Sequence, residues 1–102
     1  MYTRIITIKL PNETASNALK LLYNQVSLEQ MKIGLLSSTI VDISKTNFIL
    51  IKSWISKKHF DNGRKNWQNF SNEAKEMGAI VSGIGGDAKN ISLDLLKDYL
   101  NN

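Results

Sequence analysis

The chain has 102 residues, which suits one domain, because a second hydrophobic core would leave too little apolar surface for each. Hydrophobic residues make up 42% and charged residues 22%, an ordinary balance for a globular protein that argues against disorder. It has no cysteine, which excludes a disulfide framework, a thiolate metal site and a cysteine nucleophile. No apolar run resembles a signal peptide or a membrane span, so we expect a cytoplasmic protein without membrane contact.

The net charge of +4 is concentrated in one stretch of the chain. The residues that produce it are Lys52, Lys57, Lys58, Arg64 and Lys65, set against Asp61. Such a small excess is not the broad basic stripe of a nucleic-acid-binding protein, so a nucleic-acid partner is not expected. Because Lys57, Lys58, Arg64 and Lys65 fall where a helix is predicted to begin, these four are instead a candidate site for a phosphate or carboxylate, or a solvated surface.

The first half of the chain predicts a strand, a helix and a hairpin. Alternation predicts a strand over residues 2–10. A helix should follow, with its apolar stripe at Ala15, Ala18, Leu19, Leu22 and Val26. Ser27 and Gln30 resemble a capping box, so we expect a break near Val26 and a short second helix to residue 33. Residues 35–43 and 48–55 are rich in β-branched and aromatic side chains and form a hairpin around the turn at 44–47.

In the second arm of this hairpin both faces are apolar and need cover. The residues expected on one face are Phe48, Leu50 and Trp54, and those on the other are Ile49, Ile51 and Ile55.

The second half predicts a long helix, a short strand and a terminal helix. After Ser56 an apolar stripe recurs at Phe60, Trp67, Phe70, Ala74 and Met77. Gly63 interrupts this stripe and predicts a kink or a restart. Residues 79–84 read as a last strand and residues 85–87 as a turn. A final helix runs through Leu93, Leu96 and Leu100.

The element order β-α-β-β-α-β with an added C-terminal helix predicts one ferredoxin-like α+β domain over residues 1–102. Its four-stranded antiparallel sheet would carry both long helices on one face. The other face would then expose isoleucine and leucine side chains, and pairing with a second copy would cover them. We therefore predict a homodimer.

The segment from Phe48 to Trp54 followed by Ser56, with Phe60 and Trp67 on the next helix, resembles the dimeric α+β barrel superfamily of antibiotic-biosynthesis-type monooxygenases. Gly34 at the start of the second strand is similar to that family's entry to the strand. The resemblance covers roughly residues 4–83 and implies a fold and a dimer. Activity does not follow from it, because function within the superfamily is diverse.

Two branches of that superfamily can be compared with this sequence. The haem-degrading branch carries an Asn on the first strand and an axial His about ten residues after a helical Trp. Here Met77 follows Trp67 at that distance and the first strand lacks Asn, which argues against haem degradation. In the cofactor-free, quinone-forming oxygenases an Asn, a Trp and a Tyr follow one another along the helix. Asn62 and Trp67 match with the spacing off by one, and Phe70 stands near the Tyr position.

These comparisons select the candidate site residues. His59, Asn62 and Trp67 are the candidate catalytic residues, His59 as a proton shuttle or else a surface residue. Trp54, Arg64, Asn66 and Phe70 are the candidate ligand-binding residues, although the aromatic ones also suit a plain core. One His, no Cys and scattered carboxylates do not form a metal ligand set, and no cofactor is predicted.

The leading hypothesis is a dimer that binds a small apolar or aromatic molecule between helices and sheet, with cofactor-free monooxygenase-like chemistry. The alternative is a non-catalytic ligand-sensing or protein-interaction module. A cavity of about 300 Å³ or more reaching Trp67 and His59 would favour the first, and a filled core the second.

Overall fold

The computed structural model describes residues 1–101, which form a four-stranded antiparallel sheet with helices. The strands are β1 (Tyr2–Lys9), β2 (Leu35–Asp42), β3 (Asn47–Trp54) and β4 (Ile80–Asp87). The helices are α1 (Glu13–Met31), α2 (Lys57–Asn62), α3 (Arg64–Glu76) and α4 (Ile91–Asn101). The spatial strand order is β2-β3-β1-β4. This confirms the predicted ferredoxin-like arrangement, with α2 and α3 together in the place of the second long helix.

The main core lies between the sheet and the two long helices. Its strand residues are Ile6, Ile8, Phe48 and Leu50, and its helix residues include Leu19, Tyr23, Phe70 and Ala74. Alternation along β1 and β3 places every second side chain on this helix-covered face. Leu50 is therefore completely buried under the helices, whereas Ile49 and Ile51 lie on the opposite face of the sheet.

Two local predictions about secondary structure were wrong. The first helix is not broken near Val26 but runs without interruption from Glu13 to Met31. The capping-box signal failed because Gln30 is turned into the interior, where it is 1% exposed. Residues 85–87 are not a turn but the end of β4, paired with the start of β1.

Close side-chain approach explains two of the glycines. A Cβ on Gly85 would lie 2.5 Å from the Tyr2 hydroxyl and 2.5 Å from Arg4 Cδ, so a larger residue there would displace these two side chains. A Cβ on Gly63 would lie 2.5 Å from Trp54 Cη2, although the φ of −87° at Gly63 suits any residue. Gly63 separates α2 from α3, as the predicted kink or restart required.

The second face of the sheet carries no helix, and we call it the outward face. Three ladder rows cross all four of its strands, and the charged Lys9 lies beyond them at one end of the face, paired with Asn47 and Ile80. The rows are Ser37–Ser53–Thr3–Gly86, Thr39–Ile51–Ile5–Ile84 and Val41–Ile49–Thr7–Ser82. None of these positions is charged, and Ile5, Ile51 and Ile84 are 42%, 36% and 70% exposed. The predicted apolar second face is therefore present.

Helix α4 follows β4 after three residues and projects away from the rest of the chain. Its six large apolar side chains, Ile91, Leu93, Leu95, Leu96, Tyr99 and Leu100, are between 47% and 79% exposed. The chain extends 53 Å along its longest axis. Its radius of gyration of 15.3 Å exceeds the roughly 13 Å typical of a compact domain of about 100 residues. Among residues 1–101, no helix combines the length and apolar character that crossing a membrane requires.

Candidate functional site

The least expected feature of the interior is a buried lysine on β3. Because side chains alternate along the strand, Lys52 lies on the same helix-covered face as Leu50 and Trp54. Only 2% of Lys52 is exposed to solvent. A lysine is almost never buried to this extent unless it is paired, so its surroundings need an explanation.

One hydrogen bond and three aromatic rings surround the Lys52 amine. Lys52 Nζ donates to Gln30 Oε1 over 2.5 Å. Nζ also lies 5.5 Å from the ring centre of Tyr23, 5.6 Å from that of Trp54 and 4.5 Å from that of Trp67. All three distances are within the range of cation–π attraction. We call Tyr23, Trp54 and Trp67 the aromatic cage of Lys52.

Burial and a neighbouring positive charge favour the neutral form of the Lys52 amine. Burial lowers the pKa of Lys52 from 10.5 to about 7, and the positive charge of Arg4 contributes further. Arg4 is the register partner of Lys52 on β1 and lies on the same face of the sheet. Among residues 1–101 the hydrogen-bond partner of Lys52 is the uncharged Gln30 amide, which does not compensate a full charge. At neutral pH a substantial fraction of Lys52 is therefore an amine that can accept a proton.

Two further donors are buried beside Lys52. Within the part of the chain that the structure describes, Arg4 Nε and Trp54 Nε1 have no hydrogen-bond partner. Phe60 packs near both side chains, with its ring centre 5.4 Å from Arg4 Cζ and 6.0 Å from the ring centre of Trp54. Such unused donors are uncommon in protein interiors and are suited to binding the oxygen atom of a ligand.

A cavity of about 380 Å³ lies between α1 and β2, and we call it the α1–β2 cavity. Its lining includes Tyr23, Ser27 and Met31 from α1 and Leu35, Ser38 and Ile40 from β2. Tyr23 hydrogen-bonds to the Ser38 hydroxyl, and burial raises its pKa. The Tyr23 side chain is therefore part of both the cage around Lys52 and the wall of the cavity.

Two shallower cavities open on the outward face. One of about 340 Å³ is lined by Thr3, Ile5, Ile84 and residues 85–88, and one of about 210 Å³ lies beside it along β1 and β4. None of these three cavities is lined by Lys52, His59, Asn62 or Trp67, so the cavity reaching Trp67 and His59 that would favour the catalytic hypothesis is not among them.

Among the aromatic residues selected from the sequence, Trp54 and Trp67 belong to the cage. Phe70 lies in the core next to it, with its ring centre 4.9 Å from that of Trp67 and 5.6 Å from that of Tyr23. Phe70 and Trp54 are each 1% exposed, so both are fully packed.

The polar residues selected from the sequence lie elsewhere. His59 Nδ1 hydrogen-bonds to the Ser56 hydroxyl over 2.6 Å, and that hydroxyl also accepts from the His59 backbone N–H. Its ring packs on the backbone of Gly34, where an added Cβ would lie 2.5 Å from His59 Cδ2.

Asn62 and Arg64 are exposed at the junction of α2 and α3, and Asn66 is half-buried. Arg64 Nε lies 3.6 Å from the Asp61 carboxylate and forms an ion pair with it. Among residues 1–101, no three His, Cys, Asp or Glu side chains are grouped where they could hold a metal ion.

The sequence analysis did not select Lys52, Gln30 or Tyr23. A signal for Lys52 was present, since it is the one charged side chain on the inward side of β3, between Leu50 and Trp54. Gln30 gave no such signal, because its position three residues after Ser27 was interpreted as part of a capping box, which the continuous helix α1 does not form.

The chain matches no family model and no curated protein. Solved structures do match. A putative antibiotic biosynthesis monooxygenase from Nitrosomonas europaea superposes with a TM-score of 0.73 at 14% identity, covering 88% of this chain and 100% of that one. SnoaB, a cofactor-independent oxygenase from Streptomyces nogalater, superposes with a TM-score of 0.71 at 7% identity, covering 87% of this chain and 93% of that one.

A dimeric ferredoxin-like protein from an uncultured marine organism superposes with a TM-score of 0.64 at 10% identity, covering 88% of this chain and 96% of that one. The chain therefore has the fold of the antibiotic biosynthesis monooxygenases, which confirms at the level of fold the resemblance found in the sequence. Sequence identities this low support a shared fold but do not support a shared activity.

Proposed function

We propose that this protein is a homodimeric α+β barrel that binds a small aromatic molecule between α1 and the sheet and oxidises it with O₂ without a cofactor. The observation that carries the proposal is the buried Lys52 amine, which is enclosed by the aromatic cage and has its pKa lowered to about 7. Tyr23 connects this cage to the α1–β2 cavity of about 380 Å³, a size suited to a small ligand.

In the proposed reaction Lys52 accepts a proton from an activated CH₂ group of the substrate. The positive charge of Arg4 stabilises the resulting carbanion, which transfers electrons to O₂. One atom of O₂ becomes the oxygen of a C=O group in the product. The other combines with the two hydrogens of the former CH₂ group and leaves as water. Lys52 is assigned the proton-accepting role rather than His59, because Tyr23 joins the Lys52 cage to the α1–β2 cavity, whereas His59 lines none of the three cavities.

The substrate class follows from the lining of the site. Tyr23 and aliphatic side chains supply about half of the lining of the α1–β2 cavity. The donors Arg4 Nε and Trp54 Nε1 are buried beside Lys52, outside that lining, and suit one or two oxygen atoms of a ligand that reaches the cage. A fused aromatic ring system with a carbonyl or phenol oxygen and one acidic CH₂ meets these requirements.

The test is O₂ consumption with a hydroxyanthrone as substrate, compared among the unmodified protein, Lys52→Met and His59→Ala. We expect Lys52→Met to lose at least roughly 100-fold in kcat/KM, the usual contribution of a general base, and His59→Ala to keep most of its rate. For the unmodified protein kcat/KM should rise with pH around a midpoint near 7. Equal rates in all three proteins, or no rate above the uncatalysed one, would contradict the proposal.

A second function, ligand sensing without catalysis, is supported by the packing of the cage. Lys52 is 2% exposed and Trp54 is 1% exposed, so the interior around the amine is filled. Titration of the hydroxyanthrone without O₂, followed by tryptophan fluorescence, distinguishes the two functions. Saturable binding without turnover in air would favour sensing.

The homodimer is proposed because the outward face would otherwise leave a continuous apolar surface in water. The dimeric state of the marine ferredoxin-like protein supports it. Sedimentation equilibrium at micromolar concentration should give twice the chain mass of 11.5 kDa, and a stable monomer would contradict it.

A further inference from the structure

Arg4 is a half-buried cation that has no counter-ion among residues 1–101. It lies on the helix-covered face of β1, with Lys52 of β3 as its register partner on one side and Gly85 of β4 on the other. Asp87, two residues further along β4, is exposed and forms no ion pair with it. Register partners on antiparallel strands have their Cβ atoms about 5 Å apart, so an uncompensated positive charge lies next to the buried amine.

Neighbours on β4 and α2 hold the Arg4 side chain in place. A Cβ on Gly85 would lie 2.5 Å from Arg4 Cδ and 2.9 Å from Nη1, and a Cβ on Gly83 would lie 3.0 Å from Nη2. The side chain therefore lies along the inward side of β4, against two residues that have no side chains of their own. On α2, the ring centre of Phe60 is 5.4 Å from Arg4 Cζ. A guanidinium confined in this way loses little conformational freedom when it binds a ligand.

Solvent reaches this guanidinium at the edge of the sheet that β4 forms. β1 is an interior strand whose backbone is covered by β3 and β4, so the exposed part of Arg4 belongs to its side chain. The two glycines under this side chain are exposed as well. The Cζ atom of Arg64 lies 5.7 Å from the ring centre of Phe60, which places two guanidinium groups within cation–π distance of one ring. Arg64 is paired with Asp61, whereas Arg4 is not.

From this arrangement we infer that Arg4 binds the carboxylate of a small organic acid at the β4 edge of the sheet. The planar fork of a guanidinium matches a carboxylate through two parallel hydrogen bonds, and the buried Nε, which has no partner within residues 1–101, supplies a donor. One guanidinium balances one negative charge, which favours a carboxylate over a phosphate. The rings of Tyr2 and Phe60, with centres 5.0 Å apart, suit an apolar body on the acid.

This site goes beyond the proposed oxidation and does not depend on it, because it concerns binding alone. A bound carboxylate should nevertheless change Lys52. From the neighbouring elements, Arg4 of β1, Gln30 and Tyr23 of α1 and Trp67 of α3 face the Lys52 amine, and Arg4 is the charged group among them. A carboxylate that offsets the Arg4 charge should let Lys52 keep its proton to a higher pH. By linkage, the carboxylate should bind more tightly when Lys52 is protonated.

The first experiment titrates benzoate into the unmodified protein, with benzamide as the uncharged control of the same shape. The readouts are the ¹⁵Nε resonance of Arg4 and the ¹³Cε resonance of Lys52. We expect benzoate to shift the Arg4 resonance saturably and benzamide to leave it in place. At saturation with benzoate the titration midpoint of Lys52 should rise by at least roughly half a pH unit. Inorganic phosphate should bind more weakly than benzoate.

The second experiment locates the site with two matched pairs of variants. Arg4→Met should raise the Kd for benzoate at least roughly tenfold, whereas Lys57→Met, in the exposed basic cluster, should leave it within about twofold. Gly85→Ala displaces the Arg4 side chain and should raise the Kd at least roughly threefold. Gly86→Ala, with open space around it, should leave the Kd unchanged.

Several outcomes would overturn the inference. Binding that survives Arg4→Met and is lost in Lys57→Met would move the site to the exposed basic cluster. Equal shifts with benzoate and benzamide would show that the ring alone is recognised, and tighter binding of phosphate would exclude a carboxylate site. No saturable shift of the Arg4 resonance at millimolar benzoate would also overturn it, and this measurement stands even where Arg4→Met fails to fold. Hydroxyanthrone is absent throughout, so failure here leaves the proposed oxidation intact, and absence of turnover leaves carboxylate binding intact.

Discussion

Replacing Lys52 with methionine should remove a specific pH dependence of stability. In the folded protein the pKa of Lys52 is about 7, against an ordinary value of 10.5. Between these values the unfolded chain holds the proton and the folded chain does not, so unfolding takes up a proton. The free energy of unfolding therefore rises with pH in this window, at up to about 1.4 kcal/mol per pH unit. Below about pH 7 Lys52 is protonated in both the folded and the unfolded chain, so it adds no pH dependence to the free energy of unfolding.

The magnitude follows from the window that can be measured. From pH 7.5 to 9.5 the unmodified protein should gain about 2 kcal/mol relative to Lys52→Met. Urea unfolding at fixed protein concentration, followed by the fluorescence of Trp54 and Trp67, measures this gain. The exposed Lys45→Met variant should keep the slope of the unmodified protein. Methionine nearly conserves the volume of lysine, so the core should remain filled.

Parallel pH profiles for Lys52→Met and the unmodified protein would refute the reasoning. An independent check needs no variant. The ¹³Cε resonance of Lys52 in the unmodified protein should titrate with a midpoint near 7. A midpoint above about 9 would show that the buried amine keeps its proton.

Three other substitutions test neighbouring features. Gln30→Leu leaves the Lys52 amine without its acceptor and should cost about 1–3 kcal/mol of unfolding free energy in urea, whereas Gln25→Leu at an exposed position of α1 should cost little. Gly63→Ala places a Cβ 2.5 Å from Trp54 and should cost about 1–3 kcal/mol, while Gly86→Ala, with open space around it, should stay within about 1 kcal/mol. Ile51→Asp, on the outward face, should raise the dimer dissociation constant by roughly 100-fold in sedimentation experiments. Leu28→Asp, at an exposed position of α1, should leave that constant unchanged.

Much of the fold could be predicted from local patterns. Alternation in β1 and β3 and the helical stripe from Phe60 to Met77 depend on a period that each element imposes on its own side chains. The break at Gly63 and the apolar second face followed from the same patterns. Residues 85–87 were mistaken for a turn, because pairing with β1, a contact distant in sequence, keeps them extended.

The candidate site depended on tertiary structure to a greater degree. The sequence placed aromatic residues on the right elements, and the rings of Trp54 and Trp67 both lie within cation–π distance of Lys52 Nζ. It could not indicate that Gln30, 22 residues away, would supply the acceptor for Lys52. That pairing requires α1 to continue past Val26 and to cross β3 at this point.

By itself the sequence determined which residues face which side of each strand and helix, and hence that two helices would leave one sheet face apolar. These are consequences of backbone geometry and need no partner. The three-dimensional fold alone decided that Lys52 is enclosed rather than extended into solvent. Its altered pKa arises from burial and from the charge of Arg4, and both depend on how α1, α3 and β1 surround β3.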